Sequence, residues 1–165
     1  ISSVLLRLGE DIEPVAATQV STAQINLTTY SSNPELAAGN RFSLVLSIEP
    51  LEDMHVYAPG ADDYQVVSLN LDSSPYIREL PMTYPESVNY YFEPFDETVP
   101  EYLEPIKLLQ ELILDGEPET QRALRGQESI TLTGTLDYQA CDDAICYLPT
   151  SIPLSWTMQL RGLVR

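Results

Sequence analysis

The stretch RFSLVLSIE at residues 41–49 decides the fold of this chain. Phe42, Leu44, Leu46 and Ile48 share one face of an extended segment, and serines lie on the opposite face. Alternation with a period of two is typical of a β-strand that packs one face on a hydrophobic core. The stretch therefore predicts a strand with one buried face.

Similar alternation recurs in several short segments, which are separated by prolines, glycines and asparagines that favour turns. It predicts further strands at residues 21–30, 54–57, 64–72, 76–83, 106–114, 128–138 and 151–160. About eight short strands without a long helix are typical of a sandwich. We therefore expect an all-β fold, an antiparallel immunoglobulin-like β-sandwich.

Two segments break the alternation. Residues 84–105 carry four prolines and a cluster of aromatic side chains, and prolines interrupt the hydrogen bonds of a sheet. We expect a long, semi-rigid loop there. Residues 117–127 are polar and predict an insertion with at most one short helical turn.

The size of the chain indicates one domain, because 165 residues with 44% hydrophobic content can bury a single core. The sequence begins with an isolated apolar stretch, ISSVLLRLG. We expect residues 1–20 to be a linker or the tail of an upstream domain, and residues 21–165 to form the β-sandwich domain.

The charge of the chain excludes one large class of partners. The sequence has 25 Asp and Glu against 8 Lys and Arg, which gives a formal net charge of −17. Phosphate backbones would be repelled, so we expect no nucleic-acid partner. No apolar run approaches the roughly 20 residues that span a bilayer, so we expect no direct membrane insertion.

The two cysteines, Cys141 and Cys146, lie in YQACDDAICYLP at residues 138–149, between two predicted strands. We therefore expect both cysteines on a hairpin-like connection at the edge of a sheet and not deep in the core. A disulfide that closes so short a loop stabilises the fold by only about 2 kcal/mol, against nearly 5 for a loop of 100 residues. Asp142 and Asp143 between the cysteines disfavour a thiolate. The pattern favours a disulfide that is attacked by a partner's thiolate over a cysteine that attacks other proteins itself.

The residues alone leave three interpretations of this pair open: a structural disulfide, a redox-exchange pair, or a metal site. A structural zinc site commonly has four cysteine or histidine ligands, and the sequence has two cysteines and one histidine. We therefore expect no metal and no other cofactor. His55 is interpreted as a partly buried structural side chain, with a place near the cysteines as the alternative.

The cysteine segment resembles the motif of the amino-terminal periplasmic domains of the DsbD family of thiol:disulfide interchange proteins. That motif reads Tyr-Gln-x-Cys, a few residues, then Cys-Tyr-x-Pro. The positions that match it are Tyr138, Gln139, Cys141, Cys146, Tyr147 and Pro149. MHVYAPG at residues 54–60 also resembles a stretch found in such domains. Four residues separate the cysteines here, whereas the best-known members have five.

The resemblance implies a cap loop that covers the disulfide with an aromatic ring and opens for partners. The matching stretch is residues 92–102, with Phe95 as the first candidate for the cap ring and Phe92 as the second. Glu93 would be an acidic neighbour of the cysteines. The remaining candidate neighbours of the site are Tyr102, Tyr138, Asp142, Asp143 and Tyr147.

The resemblance also implies a function. The Cys141–Cys146 pair would relay electrons between a thioredoxin-like or membrane partner and other extracytoplasmic thiol proteins, with Cys146 as the attacked sulfur. Such a domain would be a thiol:disulfide oxidoreductase in the periplasm of a bacterium, and a thioredoxin- or peroxiredoxin-like domain would be fused upstream. The alternative is a non-catalytic immunoglobulin-like interaction module of a redoxin fusion with a structural disulfide.

Overall fold

A computed structural model of the chain describes residues 17–161. One α-helix, α1 (Pro118–Leu124), and one 3-10 turn (Glu93–Phe95) interrupt a succession of strands. The strands are β1 (Thr18–Ser21), β2 (Ile25–Ser31), β3 (Glu35–Leu36), β4 (Arg41–Pro50), β5 (His55–Tyr57), β6 (Ser68–Leu71), β7 (Ile77–Thr83), β8 (Val88–Phe92), β9 (Glu97–Tyr102), β10 (Ile106–Leu114), β11 (Ser129–Tyr138), β12 (Ala140–Cys141) and β13 (Thr150–Leu160).

Two sheets form the body of the domain. The first sheet has the strand order β1-β2-β4-β10-β7, and the second has the order β3-β13-β11-β6. Neighbouring strands are antiparallel except for β3, which runs parallel to β13. The alternating residues of β4, β10, β11 and β13 point inward, which gives each of these strands a buried face and a more exposed one. The predicted antiparallel immunoglobulin-like β-sandwich is confirmed.

A buried hydrogen-bond chain joins the two sheets through the core. The indole Nε1 of Trp156 on β13 donates to Oγ1 of Thr29 on β2 at 2.9 Å. That hydroxyl donates in turn to the backbone oxygen of Val45 on β4 at 2.7 Å. Buried polar groups are costly when unpaired. These two hydrogen bonds therefore allow a tryptophan and a threonine to lie in an apolar core.

A third sheet, with the order β12-β5-β9-β8, lies where the sequence predicted a proline-stiffened loop. The loop prediction for residues 84–105 is wrong, because β8 and β9 form a hairpin around the 3-10 turn. Pro94 lies at the start of that turn, where proline is tolerated. The oxygen of Pro100 accepts from the N–H of Ala58, just past the end of β5. The N–H and C=O of one residue in an antiparallel strand point to the same side, so the N–H that Pro100 lacks would point toward β5. The hydrogen bonds between β8 and β9 are therefore unaffected.

Some strand boundaries also differ from the prediction. Residues 21–30 contain a turn between β1 and β2, and residues 64–72 are a strand only from Ser68 to Leu71. Strand β1 begins at Thr18 and pairs with β2, so it straddles the expected boundary between residues 20 and 21. The remainder of the expected upstream tail, residues 1–16, lies outside the described residues. Within residues 17–161, no helix is long and apolar enough to cross a membrane.

Candidate redox site around the cysteine pair

One face of the third sheet gathers the side chains of the site. Cys141 lies opposite His55 in the register of β12 and β5, and Tyr57 lies opposite Glu101 in the register of β5 and β9. Side chains two residues apart on a strand share a face, so these four lie on the same side of the sheet. The opposite face, which includes Ala140, Val56 and Tyr102, belongs to the main core.

The two cysteines form a disulfide and differ in their exposure. Cys141 is on the edge strand β12 and is 0% exposed, whereas Cys146 is half-buried at the end of the loop. The expected position at a sheet edge is confirmed, but the expectation that neither cysteine is deeply buried is wrong for Cys141. Cys141 is buried because its neighbour β5 is buried along its whole length. A thiolate approaching from solvent therefore reaches Cys146 first.

The hydroxyl of Tyr57 contacts both sulfurs. Its oxygen lies 2.9 Å from Sγ of Cys141 and 3.3 Å from Sγ of Cys146. Burial is the main cause that raises the pKa of Tyr57 far above its ordinary value, and the negative charge of Glu101 adds to it. Tyr57 therefore keeps its proton at neutral pH and can donate a hydrogen bond to a thiolate that forms at either sulfur.

A second tyrosine holds the first in position. The rings of Tyr57 and Tyr64 are stacked, with centroids 4.1 Å apart and an interplanar angle of 8°. The hydroxyl of Tyr64 donates a hydrogen bond to Oε1 of Glu97 on β9. Burial first, and then this hydrogen bond, raises the pKa of Tyr64 to about 12. The two stacked tyrosines belong to the small buried cluster that contains both cysteines.

Asp142 organises the loop between the cysteines. Its Oδ1 accepts from the N–H groups of Ala144 and Ile145, each at 2.8 Å, and its Oδ2 accepts from the hydroxyl of Tyr147 at 2.9 Å. The pKa of Asp142 is lowered by the two backbone donors first, with Tyr147 and the charge of His55 as further causes. Hydrogen bonds to the charged form favour it, so the carboxylate fastens a tight turn.

Asp142→Ala is therefore expected to loosen the cysteine loop and to increase the rate at which a phosphine reductant opens the disulfide, by about two- to fivefold. Because the pKa of Asp142 is lowered in the folded state, its contribution is present above the ordinary value of 3.8 and is lost as the pH falls below it. The wild-type rate should consequently approach that of Asp142→Ala in strong acid. Asp142→Asn keeps one oxygen for the two amides and should give an intermediate rate, and equal rates for all three proteins at neutral pH would contradict this role.

Asp143 connects the loop to the β8–β9 hairpin. The hydroxyl of Tyr90 on β8 donates to Oδ1 of Asp143 at 2.7 Å, and this bond is the largest cause that raises the pKa of Tyr90 to about 12. The ring of Tyr90 packs on the ring of His55, with centroids 4.2 Å apart. The hairpin that the resemblance implies as a cap therefore contacts the cysteine loop through Tyr90.

The candidate cap residues lie at the tip of the same hairpin. Phe92 is buried and packs edge-to-face against Phe95 with ring centroids 5.1 Å apart, while Phe95 remains 60% exposed. Glu93 is exposed and begins the 3-10 turn. The hydroxyl contact to the sulfurs comes from Tyr57, and the role of Phe95 as a cap ring stays a prediction.

Two other tyrosines named from the sequence have partners elsewhere in the fold. Tyr102 is in the main core, and its hydroxyl donates to the oxygen of Pro85 at 2.7 Å. The hydroxyl of Tyr138 lies 2.9 Å from both Thr22 Oγ1 and Gln24 Oε1 in the turn before β2. These bonds attach Tyr102 and Tyr138 to the framework of the sandwich, whereas Asp142, Asp143 and Tyr147 lie in the cysteine loop.

Sequence reasoning missed four residues of the site: Tyr57, Tyr64, Glu97 and Glu101. Glu97 and Glu101 lie on the same face of β9 as Val99. This pattern becomes visible only when residues 97–102 are recognised as a strand. Tyr57 could have been found from its place two residues after His55, on the same face of the predicted strand at residues 54–57. In the described part of the chain, no group of three or more His, Cys, Asp or Glu side chains is arranged to hold a metal ion.

Comparison with solved structures shows which fold the domain shares. The N-terminal periplasmic domain of ScsB from Proteus mirabilis matches with a TM-score of 0.55 and 10% identity, over 82% of this chain and 49% of that one. The DsbD N-terminal domain of Neisseria meningitidis, in its reduced form, matches with a TM-score of 0.48 and 10% identity, over 79% of this chain and 88% of that one.

At this identity the likeness to the ScsB domain shows a common fold and nothing finer, and the chain spans about half the length of that ScsB structure. No family model matches the sequence, and no curated protein is significantly similar to it. The fold that the resemblance implied is therefore supported by structure.

Proposed function

We propose that this chain is a thiol–disulfide exchange domain that relays electrons between a thioredoxin-like or membrane partner and other thiol proteins through the Cys141–Cys146 pair. The observation that carries the proposal is the unequal exposure of the two sulfurs, half-buried for Cys146 and fully buried for Cys141. A bond of this kind offers one sulfur to a partner and keeps the other as an internal leaving group. A purely structural bond in so short a loop would add little stability.

The exchange would begin when a partner's thiolate attacks Sγ of Cys146. The Cys141–Cys146 bond breaks, its electron pair goes to Cys141, and Cys146 becomes joined to the partner in a mixed disulfide. The hydroxyl of Tyr57, 2.9 Å from Sγ of Cys141, donates a hydrogen bond to the new thiolate. The partner's second thiol then attacks its own bonded sulfur and releases Cys146, so that two electrons have moved and the partner leaves oxidised. No cofactor is needed.

The surface around Cys146 suits a protein partner. Ile145 and Leu148 flank this cysteine and are 53% and 84% exposed, respectively. Exposed apolar side chains next to a reactive group favour docking of an apolar rim, such as the one that surrounds the cysteines of a thioredoxin-like protein. A hinge of the β8–β9 hairpin that breaks the Tyr90–Asp143 contact would widen this access, with Phe95 as the candidate ring at its tip.

The proposed location is the periplasm or another extracytoplasmic compartment of a bacterium, where disulfides persist. The ScsB domain that shares this fold is an N-terminal periplasmic domain, and this supports the same location for the chain. For the partner, we propose a thioredoxin- or peroxiredoxin-like protein domain.

The reduction potential of the pair tests the proposal against the alternative of a non-catalytic interaction module. We expect the disulfide to equilibrate with glutathione or dithiothreitol at a potential above about −300 mV, in the range of exchange proteins. The fraction of reduced protein, trapped by acid and alkylated, gives this value directly. A potential far below that limit, together with resistance to reductants, would identify a structural bond.

A further inference from the structure

His55 and Glu101 form a buried pair of titratable groups on the face of the third sheet that carries the disulfide. Nδ1 of His55 lies 2.7 Å from Oε1 of Glu101, and the side chains are only 2% and 1% exposed. The two atoms are too poorly aligned for a good hydrogen bond, and neither Nε2 nor Oε2 has a partner among the described residues. A close nitrogen–oxygen contact is thus present without the hydrogen-bond network that usually surrounds a buried ion pair.

Two bare lone pairs 2.7 Å apart would repel each other, so at least one of the two groups carries a proton. An isolated buried carboxylate carries a large desolvation penalty, and a cationic partner relieves it. The ring of Tyr90, with its centroid 4.2 Å from that of His55, offers a π system against the imidazole, which favours a cation there. These contacts fit an imidazolium at His55 and a carboxylate at Glu101.

The order of the strands sets which end of the pair faces the disulfide. His55 is on β5 and lies directly opposite Cys141 on β12, whereas Glu101 is on β9, one strand further away. Directly opposed residues in an antiparallel pair have Cβ atoms about 5 Å apart, and each further strand adds nearly the same distance. The cationic end of the pair is therefore nearer to Cys141 than the anionic end.

The other charges around His55 are negative. Asp142 and Asp143 lie in the cysteine loop, and the remaining titratable groups against the ring are the neutral hydroxyls of Tyr57 and Tyr90. The cleft that His55 lines contains no lysine or arginine among its described residues, and its further carboxylates are Glu49, Glu52, Asp53 and Glu104. A thiolate at Cys141 would thus find one cation nearby, and that cation is His55.

We propose that His55, kept cationic by Glu101, is the positioning residue that stabilises Cys141 as the leaving thiolate when a partner attacks Cys146. This inference rests on the proposed exchange function and adds the source of the charge compensation. When the Cys141–Cys146 bond breaks, the electron pair stays on Cys141, and no proton has to move for the charge to be balanced. The imidazolium stabilises the Cys141 thiolate through its charge, and the Tyr57 hydroxyl stabilises it through a hydrogen bond.

The test compares the full chain with a His55→Gln variant, each in a Cys146→Ser background that leaves Cys141 as a free thiol. The ultraviolet absorbance of the thiolate is followed as the pH is raised. Loss of the cation on the strand next to Cys141 should raise the pKa of the Cys141 thiol by about one unit or more. With both cysteines present, His55→Gln should slow reduction of the disulfide by dithiothreitol about three- to tenfold, because the leaving thiolate is less stable.

His55→Gln leaves Glu101 buried without its cation and thereby endangers the fold. The double variant His55→Gln/Glu101→Gln replaces the pair by two neutral amides and so avoids an unpaired buried charge. It allows the same measurement if the single variant does not fold. It should raise the thiol pKa in the same direction by a smaller amount, because the nearer charge outweighs the farther one. Glu111→Gln, which removes an exposed carboxylate on β10 paired with Arg41, is the matched control and should change neither readout.

The outcomes separate this inference from the proposed function. Suppose that the wild-type disulfide exchanges with dithiothreitol, but that the pKa of the Cys141 thiol in folded Cys146→Ser protein is the same with and without His55→Gln. His55 is then structural and the inference is wrong. If the wild-type disulfide does not exchange at all, the proposed function itself fails, whatever the titration gives. A raised thiol pKa together with slower exchange, at unchanged folding by circular dichroism, is the result that we expect.

Discussion

Replacing Cys141 by serine is expected to leave a domain that forms a lasting mixed disulfide, whereas replacing Cys146 by serine is expected to make the reaction very slow. In the first variant the half-buried Cys146 remains for a partner, and the internal thiol that would resolve the complex is missing. In the second variant the remaining thiol is 0% exposed in the wild-type fold and is covered by Tyr57.

A suitable probe is a thioredoxin with a single active-site cysteine that carries thionitrobenzoate. Release of the coloured thiol reports the attack, and non-reducing electrophoresis reports the complex. We expect Cys141→Ser to react on the order of 100-fold faster than Cys146→Ser, because reactivity follows access as well as thiolate content. Equal rates or the reverse order would overturn the assignment of Cys146 as the attacked sulfur. A lack of complexes with both variants would favour the interaction module.

The second large effect concerns the framework that holds the site. Trp156→Ala is expected to lower the free energy of unfolding by about 3–5 kcal/mol, because it empties the space of an indole in the core and removes its hydrogen bond to Thr29. Domains of this size have a total stability of about 5–15 kcal/mol, so the variant should approach the limit of folding. Urea denaturation followed by circular dichroism measures the change.

Trp156→Phe separates the packing of the ring from the hydrogen bond. It keeps an aromatic ring and leaves the Thr29 hydroxyl bonded to Val45, so we expect a loss of about 1–2 kcal/mol. The Cys141–Cys146 exchange rate of this milder variant should stay at the wild-type level under native conditions, because Trp156 is in the second sheet and the site is in the third. A loss below about 1 kcal/mol for Trp156→Ala would contradict its place in the core.

The sequence predicted the sandwich well where its strands are amphipathic. The alternation at β4, β10, β11 and β13 gives one apolar face per strand, and such a face has one stable arrangement, packed on another sheet. The hairpin of β8 and β9 escaped prediction because prolines and exposed aromatics hide its pattern. Its pairing depends on where Pro94 and Pro100 fall relative to the ladder, which a single strand does not reveal.

The sequence by itself determined the all-β class, the position of the cysteine pair at a sheet edge and the acidic turn between the sulfurs. These features are local, because alternation, spacing and neighbouring charges act within a few residues. Only the tertiary structure decided that Cys141 is fully buried and Cys146 half-buried, that Tyr57 contacts both sulfurs, and that His55 lies on the strand between those of Cys141 and Glu101. Those contacts join residues far apart in the chain, and their geometry follows from the order β12-β5-β9-β8, which no single strand encodes.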